Sequence, residues 1–276
     1  ADRGEAPGVA GVVEVLEAHG ISVMKPAGPV PTPLVAWAVS KHGLGAGLCV
    51  TASHNPASDN GLKVFWSDGA QIIPPIDARI ATAIEAAARD RRLTPHPGSG
   101  AVNTRRLMVD RYLADTLDQV GAAGDPDLQV VTTALHGVGG APLLQLLGAA
   151  GYTSVTPVPE QQVPDPDFPT VAFPNPEEPG ALDAAIALAT ELGADLILAN
   201  DPDADRLAVA VPDADDQWHT LTGNEVGALL AWWALQRSQG LPDRLLATTM
   251  VSSQLLEKMA TQAGVHYAET LTGFKW

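Results

Sequence analysis

The sequence predicts an α/β protein of successive domains, each with a mixed, mainly parallel sheet and helices on both faces. Apolar runs alternate with segments of helical period, most regularly between residues 107 and 211. Two of these runs end in polar turns dense in reactive groups. Leu48-Cys49-Val50 leads into Thr51-Ala52-Ser53-His54-Asn55-Pro56, and Leu196-Ile197-Leu198-Ala199 leads towards Asp201-Pro202-Asp203-Ala204-Asp205-Arg206. Open α/β sheets bind ligands beyond the C-terminal ends of their strands.

Residues 8–19 read as a helix, with Val9, Val12, Val13 and Leu16 at helical spacing and Gly20 as its stop. Ile21-Ser22-Val23-Met24 reads as a short strand. Thr32 is a candidate N-cap, and Pro33 a first-turn proline, for a helix through His42. Gly43-Leu44-Gly45-Ala46-Gly47 precedes a strand and not a helix, which argues against a dinucleotide loop. Leu62 to Ile73 has hairpin character, with Ser67-Asp68-Gly69 as its turn, and Ile76 to Arg91 reads as a helix. Thr94 to Thr104 holds two prolines, two glycines and no apolar period, and is expected to be a linker.

A second unit follows in the order helix (107–120), strand (128–134), helix (141–150) and strand (153–158). A proline-rich loop (159–179), helix (180–192) and strands at 195–199 and 207–211 complete it. Pro174 to Gly180 reads as a rigid lead into a helix. A third unit begins near Thr222 with helix (224–237), strand (245–249), helix (253–263) and a last stretch, Tyr267 to Trp276. The expected domains are therefore 1–100, 101–216 and 217–276, and their shared strand–helix rhythm is what duplication would leave. The last unit has too few strand–helix pairs to bury a sheet, and the first opens on a helix with no strand before it. The chain is expected to be part of a longer protein.

The formal net charge of -16, from 32 acidic and 16 basic residues, argues against nucleic acid as a partner. A local basic or metal cluster can still bind small phosphates. No apolar stretch reaches the ~18 residues of a membrane helix, and Ala1-Asp2-Arg3-Gly4-Glu5 lacks the features of a signal peptide. The single cysteine, Cys49, sits in an apolar run and reads as a buried core thiol, suited to a cytoplasmic setting.

Asp201, Asp203 and Asp205 alternate directly after an apolar strand, and three hard oxygen donors there suit Mg²⁺. Their run lacks His and Cys, so zinc does not fit. A calcium EF-hand needs Gly and Glu where Arg206 and Pro212 stand. The plain alternative, a solvated acidic loop, is at odds with the apolar strands on both sides. A phosphorylated serine beside this metal site would add roughly -1.5 to -2 of charge, so Arg206 and Lys63 are the natural compensators. Taken singly, Ser53 is a turn hydroxyl, and His54 and Lys63 are surface groups. Together with the carboxylates they supply what phosphoryl transfer requires, namely positioned groups that neutralise the oxygens in flight.

The hexapeptide Thr51–Pro56, followed by Asn60-Gly61-Leu62-Lys63 and later by Asp201–Arg206, resembles the α-D-phosphohexomutase family of phosphoglucomutases and phosphomannomutases. Residues 34–91 and 128–211 look most like it. The resemblance implies that Ser53 carries the phosphoryl group. It implies that Asp201, Asp203 and Asp205 hold Mg²⁺, with a phosphate oxygen on Ser53 as a further ligand. Arg206 would contact phosphate, and Lys63 and His54 would serve proton transfer and transition-state stabilisation. His136-Gly137-Val138-Gly139-Gly140 reads either as an anion nest with His136 facing the cleft or as a tight strand–helix turn. Thr270 to Trp276 resembles the start of the family's third-domain specificity loop, which makes Thr272, Gly273 and Lys275 candidate substrate contacts.

The implied reaction moves a phosphoryl group between C1 and C6 of a hexose phosphate, or C5 of a pentose phosphate, through a sugar bisphosphate. The family has four domains and a longer chain. Its opening strand with a phosphate-facing arginine, its Gly-Glu-x-Ser-Gly sugar loop and its fourth domain do not appear within these 276 residues. Gly223-Asn224-Glu225-Val226-Gly227 echoes the sugar loop but reads as a helix start. The expectation is a chain that binds Mg²⁺ and can hold phosphate on Ser53, yet does not turn over alone. Two rivals stand beside it: a haloacid-dehalogenase-type phosphatase with Asp201 as nucleophile, and a non-catalytic phosphosugar- or metal-binding remnant.

Overall fold

The computed structural model describes residues 7–26, 28–90, 102–103, 105–121, 124–273 and 275–276. The chain divides into two compact units, Ala1–Leu207 and Ala208–Trp276.

The first unit begins with α1 (Pro7–Ala18), β1 (Met24–Lys25), α2 (Thr32–His42), β2 (Ala46–Val50), β3 (Leu62–Trp66), α3 (Ile76–Asp90), β4 (Val102–Asn103) and α4 (Arg105–Val120). Among the described residues, the strand expected at 21–24 is limited to Met24 and Lys25, which pair with Val102 and Asn103. β3 pairs antiparallel with β2, setting Lys63 opposite Cys49. The hairpin expected at 62–73 reduces to a tight return: a single bridge joins Phe65 to Gln71, and the Trp66 amide donates to the Ala70 carbonyl. The linker expected at 94–104 lies outside the described residues apart from Val102 and Asn103.

Helix α2 connects the parts of this unit. Pro33 pre-sets the first turn, and Gly43, at φ 60, stops the helix with its amide on the Val39 carbonyl. Thr32 is not the cap. Pro31 takes that position with φ -53 and ψ 140, and Thr32 is the first helical residue. One side of the helix packs Val39 against Cys49 and Phe65. The other packs Leu34 and Ala38 against Val30 and against Met108 of α4. Full burial of a side chain such as Leu34 contributes about 1.5–3 kcal/mol. Outside this core Asp115 accepts hydrogen bonds from Trp37 Nε1 at 3.0 Å and from Lys41 Nζ at 2.6 Å. Cys49 is buried, and burial pushes its thiol pKa up.

The unit continues with β5 (Val130–Thr133), α5 (Gly140–Ala150), β6 (Val155–Pro157), α6 (Asp183–Leu192) and β7 (Leu196–Asn200). β5 lies between β6 and β7, parallel to both, with Val131 opposite Thr156 and Ile197. All four residues of β5 are buried, as in a parallel sheet covered on both faces. Helix α6 starts at Asp183 and not at 180, because Gly180 has φ 84, outside the helical region.

The second unit begins within β8 (Leu207–Pro212), which pairs antiparallel with β9 (Trp218–Thr220). Next come α7 (Gly223–Arg237), β10 (Leu245–Thr249), α8 (Leu255–Ala263) and β11 (His266–Thr270), with β10 and β11 parallel. Residues 223–227 are a helix start. The Thr222 hydroxyl accepts the Glu225 amide, and the Glu225 carboxylate accepts the Thr222 amide. Among the described residues no helix is long and apolar enough to cross a membrane.

Candidate active site

Beyond Val50 the chain turns at Ser53, which takes φ 55. Thr51 Oγ1 accepts the Ser53 amide at 2.8 Å, and the Ala52 carbonyl accepts the Asn55 amide. These bonds hold a non-glycine residue in the left-handed region, a strain that proteins keep at functional turns. The Thr51 amide donates to the Gly61 carbonyl, and a Cβ on Gly61 would stand 2.8 Å from Thr51 O. Glycine at 61 thus lets β3 begin close beside the serine turn and brings Lys63 to it.

Beyond β7 the carboxylates enter with Asp201 and Asp203 fully buried. Each aspartate has one oxygen engaged by the protein frame. Asp201 Oδ1 accepts the amides of Asp205 and Arg206 at 3.1 and 3.0 Å. Asp203 Oδ2 accepts the Thr32 hydroxyl at 2.6 Å and Lys63 Nζ at 2.7 Å. Asp205 Oδ2 accepts Lys63 Nζ at 2.6 Å. The remaining oxygens are left for something else. Ser53 Oγ lies 3.1 Å from Asp203 Oδ1 and 3.4 Å from Asp201 Oδ2, while Asp205 Oδ1 is buried with no partner.

One oxygen from each carboxylate lies within 4.8 Å of one from each of the others. Buried oxygen donors grouped in this way, one of them orphaned, fit a hard divalent cation. The electrostatics agree. Burial, then the charges of Asp203 and Asp205, push Asp201 up to about 8. Burial would also raise Asp203, but hydrogen bonds from Lys63 and Thr32 and the Lys63 charge hold it below its ordinary value. One ammonium is too little for three clustered carboxylates, a balance that a divalent cation would complete.

Lys63 Nζ also lies 3.3 Å from Ser53 Oγ. Burial pulls its pKa down, but the hydrogen bonds and charges of Asp203 and Asp205 outweigh this and keep it raised. Its three protons are matched by three acceptors. His54 Nδ1 stands 3.3 Å from the same serine oxygen. Burial, then the Arg206 charge, hold His54 below the ordinary imidazole range, so the ring is neutral at pH 7. Arg206 is tied in through its backbone, its carbonyl accepting Asn200 Nδ2 at 2.7 Å.

His136, in the same unit, bonds outside this cluster. His136 is buried, with Nε2 2.8 Å from Thr170 Oγ1. The anion nest does not form as expected, because three of its amides already have carbonyl partners. The amides of His136, Gly137 and Val138 donate to Gln161, Ala134 and Pro202. The stretch is the tight strand–helix turn. Thr272, Gly273 and Lys275 are exposed in the second unit, where Lys275 Nζ sits 5.5 Å from the Trp276 ring centroid. Phe274 lies outside the described residues. An apolar cavity of about 520 Å³, lined by Val12, Leu16, Leu34, Val39 and Leu48 among others, includes none of the expected site residues.

Sequence reasoning missed Thr32, Gly61 and Gly137. The first looked like a helix cap, Gly61 stood only within the Asn60–Lys63 motif, and Gly137 belonged to a stretch read as a nest or a turn.

Three models of one family match consecutive stretches of the chain. They describe phosphoglucomutase/phosphomannomutase α/β/α domain I at residues 9–91, domain II at 110–214 and domain III at 222–276. A phosphopentomutase of Pongo abelii is 39% identical over 279 residues, covering 94% of this chain and 45% of its own length. A probable phosphomannomutase of Haemophilus influenzae is 42% identical, covering 95% of this chain and 54% of its own. The chain thus spans about half the length of these curated relatives. Among solved structures, a putative phosphomannomutase of Thermus thermophilus superposes with TM-score 0.78 at 26% identity, covering 97% of this chain and 58% of that one. With three of its domain models matched in order and the serine and aspartate motifs brought together, the chain belongs to the phosphoglucomutase/phosphomannomutase family, the α-D-phosphohexomutases.

Proposed function

We propose that the chain carries the phosphoryl-transfer centre of a Mg²⁺-dependent phosphosugar mutase, with Ser53 as the residue that bears the phosphoryl group. One observation carries this reading. Ser53 Oγ is met at 3.1–3.4 Å by Asp203, Asp201, Lys63 and His54 together. The similarity to a phosphopentomutase and a phosphomannomutase supports a pentose or hexose phosphate as substrate and a sugar bisphosphate as the intermediate species. The domain division proposed is 1–100, 101–216 and 217–276, supported by the three matched models. A cytoplasmic setting accords with the single, unpaired and buried cysteine.

Asp201, Asp203 and Asp205 would hold Mg²⁺ through the oxygens that the frame leaves over. When bound, the cation supplies positive charge to phosphate oxygens and so lowers the cost of transfer. The rest of the chemistry belongs to the chain. A sugar hydroxyl attacks the phosphorus of phosphorylated Ser53 and gives up its proton as the P–Oγ bond breaks. Neutral His54, with Nδ1 beside Oγ, takes up that proton and hands it to the leaving Oγ, and the reverse exchange follows when Oγ attacks the second phosphate. Lys63 is the weaker candidate for that exchange, since its raised pKa and its carboxylate partners keep it an ammonium. It acts instead as a fixed positive charge beside the transferring group. Arg206 adds a second positive charge, and the candidate sugar-phosphate contacts are Thr272, Gly273 and Lys275.

The test is covalent. The chain is incubated with Mg²⁺ and glucose 1,6-bisphosphate, and intact-mass and peptide mass spectrometry then look for one phosphoryl group. Phosphate on Ser53, absent in Ser53→Ala, is expected. Phosphate on Asp201 would point to a phosphatase chemistry and sink the proposal.

A further inference from the structure

The His136 loop stands apart from the reacting groups, yet it bears directly on the carboxylates. Leu135 and His136 take φ 47 and 60, two successive non-glycine residues in the left-handed region. Each such residue costs roughly 1–3 kcal/mol unless its surroundings impose it. Here they do. Thr133 Oγ1 accepts the Leu135 amide at 3.0 Å. The Gln161 carbonyl accepts the His136 amide, and the His136 carbonyl accepts the Asp165 amide.

A side-chain relay completes the clamp. Thr133 Oγ1 donates to Gln161 Oε1 at 2.6 Å, and Gln161 Nε2 donates to Thr170 Oγ1 at 2.9 Å. That direction lets the Thr170 hydroxyl donate to His136 Nε2 at 2.8 Å, the arrangement of a neutral, Nδ1-protonated ring.

The turn so held is pressed against the carboxylate loop, backbone to backbone. A Cβ on Gly137 would lie 2.3 Å from Pro202 Cα and 2.4 Å from Pro202 O. The Val138 amide donates to the Pro202 carbonyl at 2.8 Å. A Cβ on Gly139 would stand 2.8 Å from Ala204 Cβ. Pro202 and Ala204 are the two spacers between the three aspartates, so a displacement of the turn passes to the carboxylates with little slack.

We propose that His136 is a positioning residue for the cation site: anchored by Thr170 and Gln161, it fixes the Leu135–His136 turn against Pro202 and so sets where Asp201 and Asp203 stand. This rests on the reading of the three aspartates as that site.

The probe is Mn²⁺, with free ion counted by electron paramagnetic resonance in titrations of the full chain. Loss of an outer partner of a metal site typically costs 10–100-fold in affinity, so Thr170→Val and His136→Asn are expected to weaken Mn²⁺ binding by roughly tenfold or more. Thr170→Ser, which keeps the hydroxyl, is expected to bind as the parent chain does. Thermal midpoints are recorded on the same samples, because a purely architectural role lowers the midpoint without moving the affinity. Thr170 is exposed, so its variants report even if His136→Asn does not fold. Unchanged affinity in Thr170→Val, or equal loss in Thr170→Val and Thr170→Ser, overturns the proposal. A parent chain that takes up no Mn²⁺ overturns the cation-site reading and this inference with it.

Discussion

Thr32 donates its hydroxyl to Asp203 Oδ2 at 2.6 Å and its amide to the Asp203 carbonyl at 2.9 Å, joining residues 171 positions apart. The first turn of α2 therefore sets the carboxylate loop, while Val39 of the same helix packs on Cys49 in the strand that leads to Ser53. One rigid element registers both halves of the site.

Thr32→Val keeps the shape of the side chain and removes a hydrogen bond to a buried charge, the kind of bond worth about 1.5–3 kcal/mol. A stability loss of that order is expected in urea titrations, together with weaker Mg²⁺ binding. Thr32→Ser should restore both.

Asp205→Asn removes the charge from the one buried carboxylate oxygen that has no partner. Mg²⁺ affinity measured by calorimetry is expected to fall by more than the roughly tenfold that loss of an outer partner costs. Undiminished binding would show that Asp205 is not a ligand.

Lys63→Met leaves Asp203 and Asp205 without their cation in the metal-free protein. Removing one partner of a buried ion pair costs about 3–5 kcal/mol. Thermal unfolding in chelator should show that loss, and saturating Mg²⁺ should recover part of it. A loss that Mg²⁺ leaves untouched would count against a shared electrostatic role.

Gly137→Ala is expected to destabilise by about 1–3 kcal/mol or more, as overpacking does, because its Cβ would meet the backbone of Pro202. Gly148→Ala is the contrast. That glycine lies within α5 with open space around it, and gaining helix propensity there is worth about 0.5–1 kcal/mol. Denaturant midpoints for the pair should move in opposite directions.

Burial lowers the His136 pKa from 6.5, the ordinary value its unfolded form would have. Its contribution is therefore present above pH 6.5 and is lost as pH falls from there through the depressed folded value, where the unfolded chain binds the proton more readily. The thermal midpoint of the parent chain should fall relative to His136→Asn between neutral and mildly acidic pH. A difference that does not vary with pH would contradict the neutral, buried ring.

Much of the fold was legible because its signals are local. A first-turn proline marked the start of α2, and the apolar run Leu196-Ile197-Leu198-Ala199 marked β7. The reactive set was legible too, since Ser53, Lys63 and the alternating aspartates declare their chemistry by type and order. What failed had a partner elsewhere. Thr32 looked like a cap until its hydroxyl was found on Asp203. The His136 stretch allowed either a cleft-facing anion nest or a tight turn, and the bonds of His136 to Thr170 and Gln161 accompany the turn.

By itself the sequence determined the alternating α/β elements and the serine and aspartate motifs, because each depends on residues a few positions apart. Only the tertiary structure decided how the carboxylates share their oxygens with their neighbours, and that Gly137 must be bare to let the chain pass Pro202. Those depend on distances of a few ångströms between residues far apart in the chain, and packing sets such distances where local propensity cannot.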